Sequence, residues 1–241
     1  MTATLRVQDV SKAFGGLQAL NECSLTAEAG NITGLIGPNG SGKTTLFNAI
    51  TGYERIDAGQ VFLDDQRITG ASPQRVFALG IGRTFQLTRI FPRLTVLENM
   101  LVPAQRGRSA RQHRERAMEL LAFTGIAGHA GALAGTLSFG QRKLLELAYV
   151  LVADPAVVLL DEPAGGVNPS LILQIADRIR QLNQAGRTFL IVEHNMEFVM
   201  GLCHQVTVLD SGTVVATGPP EAVRTNPRVL DAYLGTEAVD D

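Results

Sequence analysis

Eight consecutive residues restrict this chain more than any other stretch in it: Gly37-Pro38-Asn39-Gly40-Ser41-Gly42-Lys43-Thr44. They read G-x-x-x-x-G-K-[ST], the loop that cradles nucleotide phosphates. Gly37, Gly40 and Gly42 let the backbone turn tightly and bring its N–H groups against phosphate oxygens. Lys43 supplies a compact positive charge for the β- and γ-phosphates, and the Thr44 hydroxyl can ligate Mg²⁺. The apolar run 32–36 predicts a strand feeding the loop. Residues 43–51 predict a helix whose N-terminus faces the anion.

The 241 residues suit one large domain, or a core carrying a small subdomain. A net charge of −2 argues against a general nucleic-acid binder. Cys23 and Cys203 lie far apart without C-x-x-C spacing, so neither a disulfide framework nor a zinc site is expected. The first ten residues lack an apolar signal segment, and the longest apolar candidate, 144–160, is broken by Glu146, Asp154 and Pro155. A cytoplasmic protein is expected, with any membrane association made through a partner.

Alternation of apolar and polar positions over 5–28, with Gly15-Gly16 between, predicts an antiparallel pair. Phe14 sits beside that turn, where a phenyl face can stack on a base. A strand at 61–63, a short helix from Pro73 to about 79 and a strand-like piece leading to Gln86 come next. Helical spacing covers 94–102 and 112–123. Residues 106–116 hold five arginines and one histidine against Glu115 alone, which reads as a solvated helix face. Ser138 and Gln141 fit a capping box opening a helix to about 152. Its tip, small at Ser138 and Gly140, is either an ordinary capped terminus or a second phosphate site.

Val157-Val158-Leu159-Leu160 predicts a buried parallel strand, ending in Asp161-Glu162-Pro163. Adjacent carboxylates at a buried strand end are costly to desolvate, which points to chemistry: Asp161 for a metal, Glu162 to polarise a water. A helix over 171–183 precedes a strand at 188–192 that ends at Glu193-His194. The carboxyl edge of a parallel sheet is where such folds bind ligands, so His194 is a candidate too. A hairpin over 206–216 and helical segments at 221–225 and 228–234 complete the chain, with an acidic tail at 235–241.

With these segments in this order, the chain resembles the ATP-binding subunits of ABC transporters from end to end. Phe14 matches the adenine-stacking aromatic, residues 37–44 the phosphate loop, Gln86 the glutamine of the Q-loop and 137–141 the family signature. Asp161 and Glu162 match the acidic strand end, and His194 the switch histidine. Residues 80–86, 91–99, 164–169 and 232–235 narrow the resemblance to the LivG-type subunits of branched-chain amino acid importers. Two positions depart from the general pattern: Phe139 replaces a glycine and Asn168 an aspartate.

The resemblance implies an α/β fold: a RecA-like core with a mostly parallel sheet, an antiparallel β subdomain and a helical subdomain carrying the signature. It divides a single 1–241 cassette into a core of 1–86 and 154–241 and a helical subdomain of 87–153. It implies ATP and Mg²⁺ as ligands. Phe14, Gly37, Pro38, Asn39, Gly40, Ser41, Gly42, Lys43, Thr44 and Thr45 would hold the nucleotide, with Ser138, Gly140 and Gln141 completing the site of a second cassette. Thr44, Gln86 and, through water, Asp161 would hold the metal. Glu162 would deprotonate the attacking water, assisted by Lys43, Gln86 and His194. The implied partners are membrane permease subunits, a second ATP-binding subunit (a LivF-type one or another copy) and, indirectly, an external solute-binding protein; nucleic acid is not among them. A peripheral position on the cytoplasmic membrane face follows. Two other classes stay open, a soluble ABC ATPase outside transport and a module that senses ATP without hydrolysing it.

Overall fold

The computed structural model describes residues 2–85, 90–103 and 109–234. The phosphate loop is reached early. Strands β1 (Leu5–Phe14) and β2 (Leu17–Ala27) pair antiparallel about Gly15-Gly16, as their alternation predicts. The next strand, β3 (Ile32–Ile36), is buried along its whole length and feeds the loop that opens α1 (Lys43–Ile50). After it come β4 (Ala58–Leu63), the two-residue β5 (Gln66–Arg67), α2 (Pro73–Ala78) and β6 (Ile81–Arg83).

Helices α3 (Val96–Leu101), α4 (Ala110–Phe123) and α5 (Phe139–Leu151) each begin with a complete capping box: Thr95 with Glu98, Ser109 with Gln112, Ser138 with Gln141. In each, the cap and the third helical residue satisfy one another's backbone N–H groups. The first two boxes set starts that apolar spacing alone leaves off by two residues, at 94 and 112. Strand β7 (Val157–Asp161) leads to α6 (Pro169–Gln184), capped by Asn168. The remainder is β8 (Thr188–Val192), α7 (Met196–Leu202), β9 (Gln205–Asp210), β10 (Thr213–Gly218), α8 (Pro220–Arg224) and α9 (Pro227–Leu234). Neither β5 nor α7 is expected from the sequence; both are shorter than the windows in which periodicity shows.

Two sheets result. One is antiparallel, in the order β2-β1-β4-β5; the other runs β10-β9-β3-β8-β7-β6 and is parallel apart from β10. Strands β3, β7 and β8 show five buried residues each, which is why their sequences are continuous apolar runs. Their side chains still alternate between two cores. Leu35, Leu159 and Leu190 face α1 and the antiparallel sheet, while Ile36, Leu160 and Ile191 face the helices on the other side. The carboxyl ends of β3, β8 and β7 lie side by side, and this edge carries the loop after Ile36, the pair Glu193-His194 and the pair Asp161-Glu162. In open α/β sheets that edge is the ligand crevice.

Among the described residues no helix is long and apolar enough to cross a membrane. The basic stretch is described only from Ser109. There Arg111 pairs with Glu115 on the exposed face of α4, and Arg116 with Glu119, in keeping with a solvated helix face. The acidic tail and Gln86 lie outside the described residues.

Candidate active site

A cleft of about 440 Å³ opens along that sheet edge. It is walled by the loop and the start of α1 on one side and by Glu162 and His194 on the other, with Phe14 and Leu17 at its rim. The loop's glycines are placed by sterics. A Cβ on Gly37 (φ 150°) would lie 1.9 Å from the Leu209 carbonyl oxygen, and one on Gly42 (φ 104°) 2.5 Å from that of Ala19. Side chains other than hydrogen do not fit there.

Lys43 is buried and bent back onto its own loop. Its Nζ donates to the carbonyls of Gly37 (2.8 Å) and Pro38 (2.7 Å) and to Ser41 Oγ (3.2 Å). Burial pulls the ammonium below its ordinary pKa, opposed by the charges of Glu162 and Asp161. A cation held by carbonyl dipoles beside this concavity is well placed for polyanionic phosphate. Asn39, Gly40, Ser41, Gly42, Thr44 and Thr45 line the same cleft; Pro38 touches it through its carbonyl bond to Lys43. Phe14 is about half exposed, its ring 5.0 Å from Lys12 Nζ, so a face remains at the cleft rim for a flat apolar group.

Opposite the loop, Glu162 adopts φ 49°, a left-handed backbone rarely taken by a residue with a side chain. Such a conformation costs on the order of 1–3 kcal/mol and is held by its surroundings. Its N–H donates to the Val192 carbonyl, and its carbonyl accepts from Gly165 N–H and, at 2.9 Å, from Lys143 Nζ on α5. The carboxylate enters the cleft, where Oε1 lies 3.0 Å from His194 Nε2. A carboxylate and an imidazole in contact across a phosphate loop can share the handling of a proton.

Asp161, one residue earlier, is buried. Its Oδ2 accepts from Arg83 Nη2 at 3.1 Å and its N–H donates to Thr84 Oγ1. Burial pushes its carboxyl above the ordinary range, and the Arg83 guanidinium pulls the other way without winning. Arg83 also donates to Asn48 Oδ1 and Thr51 Oγ1 on and after α1, and its guanidinium lies 5.4 Å and 5.0 Å from the rings of Phe47 and Phe85.

Ser138, Gly140 and Gln141 are not brought to this cleft. Ser138 and Gln141 are engaged in their capping box, Gln141 also meets His129 at 2.9 Å, and a Cβ on Gly140 would lie 2.3 Å from Leu171. Phe139 stands half exposed beside Gly166. The tip of α5 therefore forms a face of its own.

Several polar residues around the site escape sequence reasoning. Arg83 and Glu146 sit in apolar surroundings, the first at the end of β6 and the second on α5 with its Oε1 accepting the Phe85 N–H at 2.8 Å. Lys143 is buried as well. Glu193 is 2 % exposed and accepts three backbone N–H groups. The available signal is the same in each case: a charge inside an otherwise apolar run needs a partner to be tolerated.

Comparison with known proteins agrees with the geometry. The family model "ABC transporter" matches residues 20–165, and the model "Branched-chain amino acid ATP-binding cassette transporter" matches residues 213–239. The chain is 38% identical to the probable branched-chain amino acid transport ATP-binding protein LivG of Archaeoglobus fulgidus, over 97% of this chain and 96% of that one. Identity to the high-affinity LivG protein of Escherichia coli K12 is also 38%, over 96% and 97%. Among solved structures, an ABC transporter cassette in its ADP conformation superposes with a TM-score of 0.88 at 34% identity, covering 98% of this chain and 99% of that one. A dimeric cassette in a post-hydrolysis state with ADP and Pi gives 0.82 at 26% identity, covering 90% and 98%.

Proposed function

This chain belongs to the ABC transporter family of ATP-binding cassettes, and on that premise we propose that it hydrolyses ATP to drive a membrane permease importing branched-chain or closely related amino acids. The observation that carries the reading is the Glu162–His194 contact of 3.0 Å, facing the phosphate loop across the cleft. The C-terminal match at 213–239 and the names of the relatives support the class of solute.

Phosphoryl transfer asks mainly for positioning and charge neutralisation. The loop amides and Lys43 hold the phosphates, with Lys43 Nζ leaving the carbonyls of Gly37 and Pro38 for phosphate oxygens. Phe14 packs against the base. Glu162 accepts a proton from the attacking water, its left-handed backbone aiming the carboxylate at the loop. His194 orients Glu162 and meets the terminal phosphate. The oxygen donors of Thr44 and Gln86, with Asp161 acting through a water, suit Mg²⁺, a hard ion that keeps waters and phosphates as most of its ligands. When bound, Mg²⁺ would neutralise charge on the β- and γ-phosphates.

Ser138, Gly140 and Gln141 serve a second cassette, since in their own chain they lie away from the cleft. We divide the cassette at 86 and 154, the segment 87–153 carrying α3 to α5. The permease docks in the groove of about 380 Å³ lined by Tyr53, Phe77, Arg83, Phe85 and Pro103, where aromatic side chains are exposed beside the segment leading to Gln86. The chain then sits on the cytoplasmic membrane face without entering it.

Phosphate release by the purified chain tests the assignment. Glu162→Gln should keep ATP affinity within a few-fold and lower turnover about a hundredfold or more, the usual worth of a general base. Hydrolysis within a few-fold of the unsubstituted chain removes Glu162 from that role.

A further inference from the structure

Glu193 lies directly before His194 at the carboxyl end of β8, yet it does not enter the cleft. It is buried at 2 % exposure, and among the described residues no cation stands within ion-pair distance of it. A carboxylate in that position is expensive to desolvate unless hydrogen bonds to its charged form compensate. Three backbone N–H groups offset that cost in part; burial, with the charge of Glu162 added, still leaves the carboxyl above its ordinary range. Oε1 accepts the Ala164 N–H at 2.6 Å, and Oε2 accepts the N–H groups of His194 at 3.1 Å and Asn195 at 3.2 Å. Bonds from N–H to an ionised oxygen are roughly twice as strong as neutral ones.

The placement of these donors matters more than their number. Ala164 is two residues past Glu162, at the head of the loop that runs to Asn168 and caps α6. His194 and Asn195 begin the loop that opens α7. One buried carboxylate therefore grips the backbone two residues past Glu162 and that of His194 and its successor. Building on the reading of those two residues above, we propose that Glu193 is a positioning residue that locks the segment carrying Glu162 to the segment carrying His194, so that the two side chains move as one unit and the loop 164–168 is felt at His194.

The chemistry of the clamp explains why a carboxylate is used. Three donors share two acceptor oxygens, Ala164 on one and His194 and Asn195 on the other. A glutamine offers one acceptor oxygen and an NH₂ group, so whichever way its amide turns, one of the two loops faces a donor and is released. The isosteric Glu193→Gln variant thus unlocks the loops without opening a cavity.

The test is steady-state ATP hydrolysis by the full chain, with ATP affinity and thermal midpoint measured on the same samples. Glu193→Gln should leave ATP affinity within about twofold while kcat falls roughly 10- to 100-fold, the scale of a displacement near 1 Å in a catalytic group. In the Glu193→Gln background, His194→Ala should cost several-fold less than it does alone, because the contact it removes is already loosened. Unchanged kcat, or additive losses in the double variant, overturns the proposal, as does a fall in ATP affinity that parallels kcat. Glu193→Asp is the second variant: it keeps two acceptors but is one methylene too short to span both loops, and the same split between kcat and affinity is expected. Glu162→Gln and His194→Ala are run in parallel. If neither lowers kcat, the assignment of the site itself fails; if both do and the Glu193 variants do not, only the clamp fails.

Discussion

Arg83→Met is the substitution whose cost follows most directly from the structure. Both side chains of the Arg83–Asp161 pair are about 5–6 % exposed, at 3.1 Å. Removing one partner of a buried pair costs about 3–5 kcal/mol, because the other charge is left uncompensated. Methionine keeps the apolar filling between Phe47 and Phe85, so the loss is electrostatic and hydrogen-bonding rather than a cavity. For a chain of this size, about 3–5 kcal/mol lowers the thermal midpoint by roughly 6–20 °C. In an Asp161→Asn background the same substitution should cost less, about 1–2 kcal/mol, with the bonds to Asn48 and Thr51 among what is still lost. The pH dependence has a definite sign. Burial already holds the Asp161 carboxyl above its ordinary range, so the folded chain holds that proton more tightly than the unfolded one does, and stability from this group is lost as pH rises through the folded value. Without Arg83 that value rises further, and the penalty should be larger at about pH 8 than at about pH 5. Denaturant unfolding at the two pH values reads all three quantities. A penalty under about 1 kcal/mol, or one unchanged in the Asp161→Asn background, refutes the pairing as the source of stability.

Two further outcomes need less argument. Burial pushes the thiols of Cys23 and Cys203 up to about 12, so at about pH 8 only on the order of one in ten thousand is thiolate, and both should resist alkylation until denaturant is added; rapid labelling of the folded chain contradicts this. Gly37→Ala drives a Cβ into the Leu209 carbonyl and should cost well over the roughly 1–3 kcal/mol of backbone strain alone, whereas a Cβ on Gly40 (φ 78°) meets nothing within 4 Å and Gly40→Ala should cost only that strain. Equal thermal midpoints for the two variants would undo the steric account.

How far such features can be read in advance depends on whether their cause is local. The strands at 32–36, 157–161 and 188–192 are legible because both faces are buried and the apolar run is unbroken. The start of α5 is legible because Ser138 and Gln141 carry their own hydrogen-bond partners three residues apart. The same pattern stands at Thr95-Glu98 and Ser109-Gln112, where apolar spacing points two residues away from the true start. Cleft residues announce themselves when function demands an odd composition, as with three glycines and a lysine, or two carboxylates ending an apolar strand. Arg83, Lys143, Glu146 and Glu193 do not, because each is explained by a partner 19 to 78 positions away or by backbone amides that only the fold brings near.

These hidden charges give α5 two roles at once. Its first turn, from Ser138, points to a face outside the chain's own cleft. One turn further, Lys143 Nζ holds the carbonyl of Glu162, and Glu146 holds the N–H of Phe85, the last described residue before Gln86. A 13-residue helix is about 20 Å long and moves as a rod. Whatever engages its tip therefore pulls on backbone at the residue proposed as the base and at the segment proposed to meet the permease. Both links use main-chain groups, which no substitution at Glu162 removes and only proline removes at Phe85. Coupling through α5 should for that reason survive Glu162→Gln and be lost when Lys143 or Glu146 is changed. That separation of chemistry from transmission is built into which atoms carry the contacts.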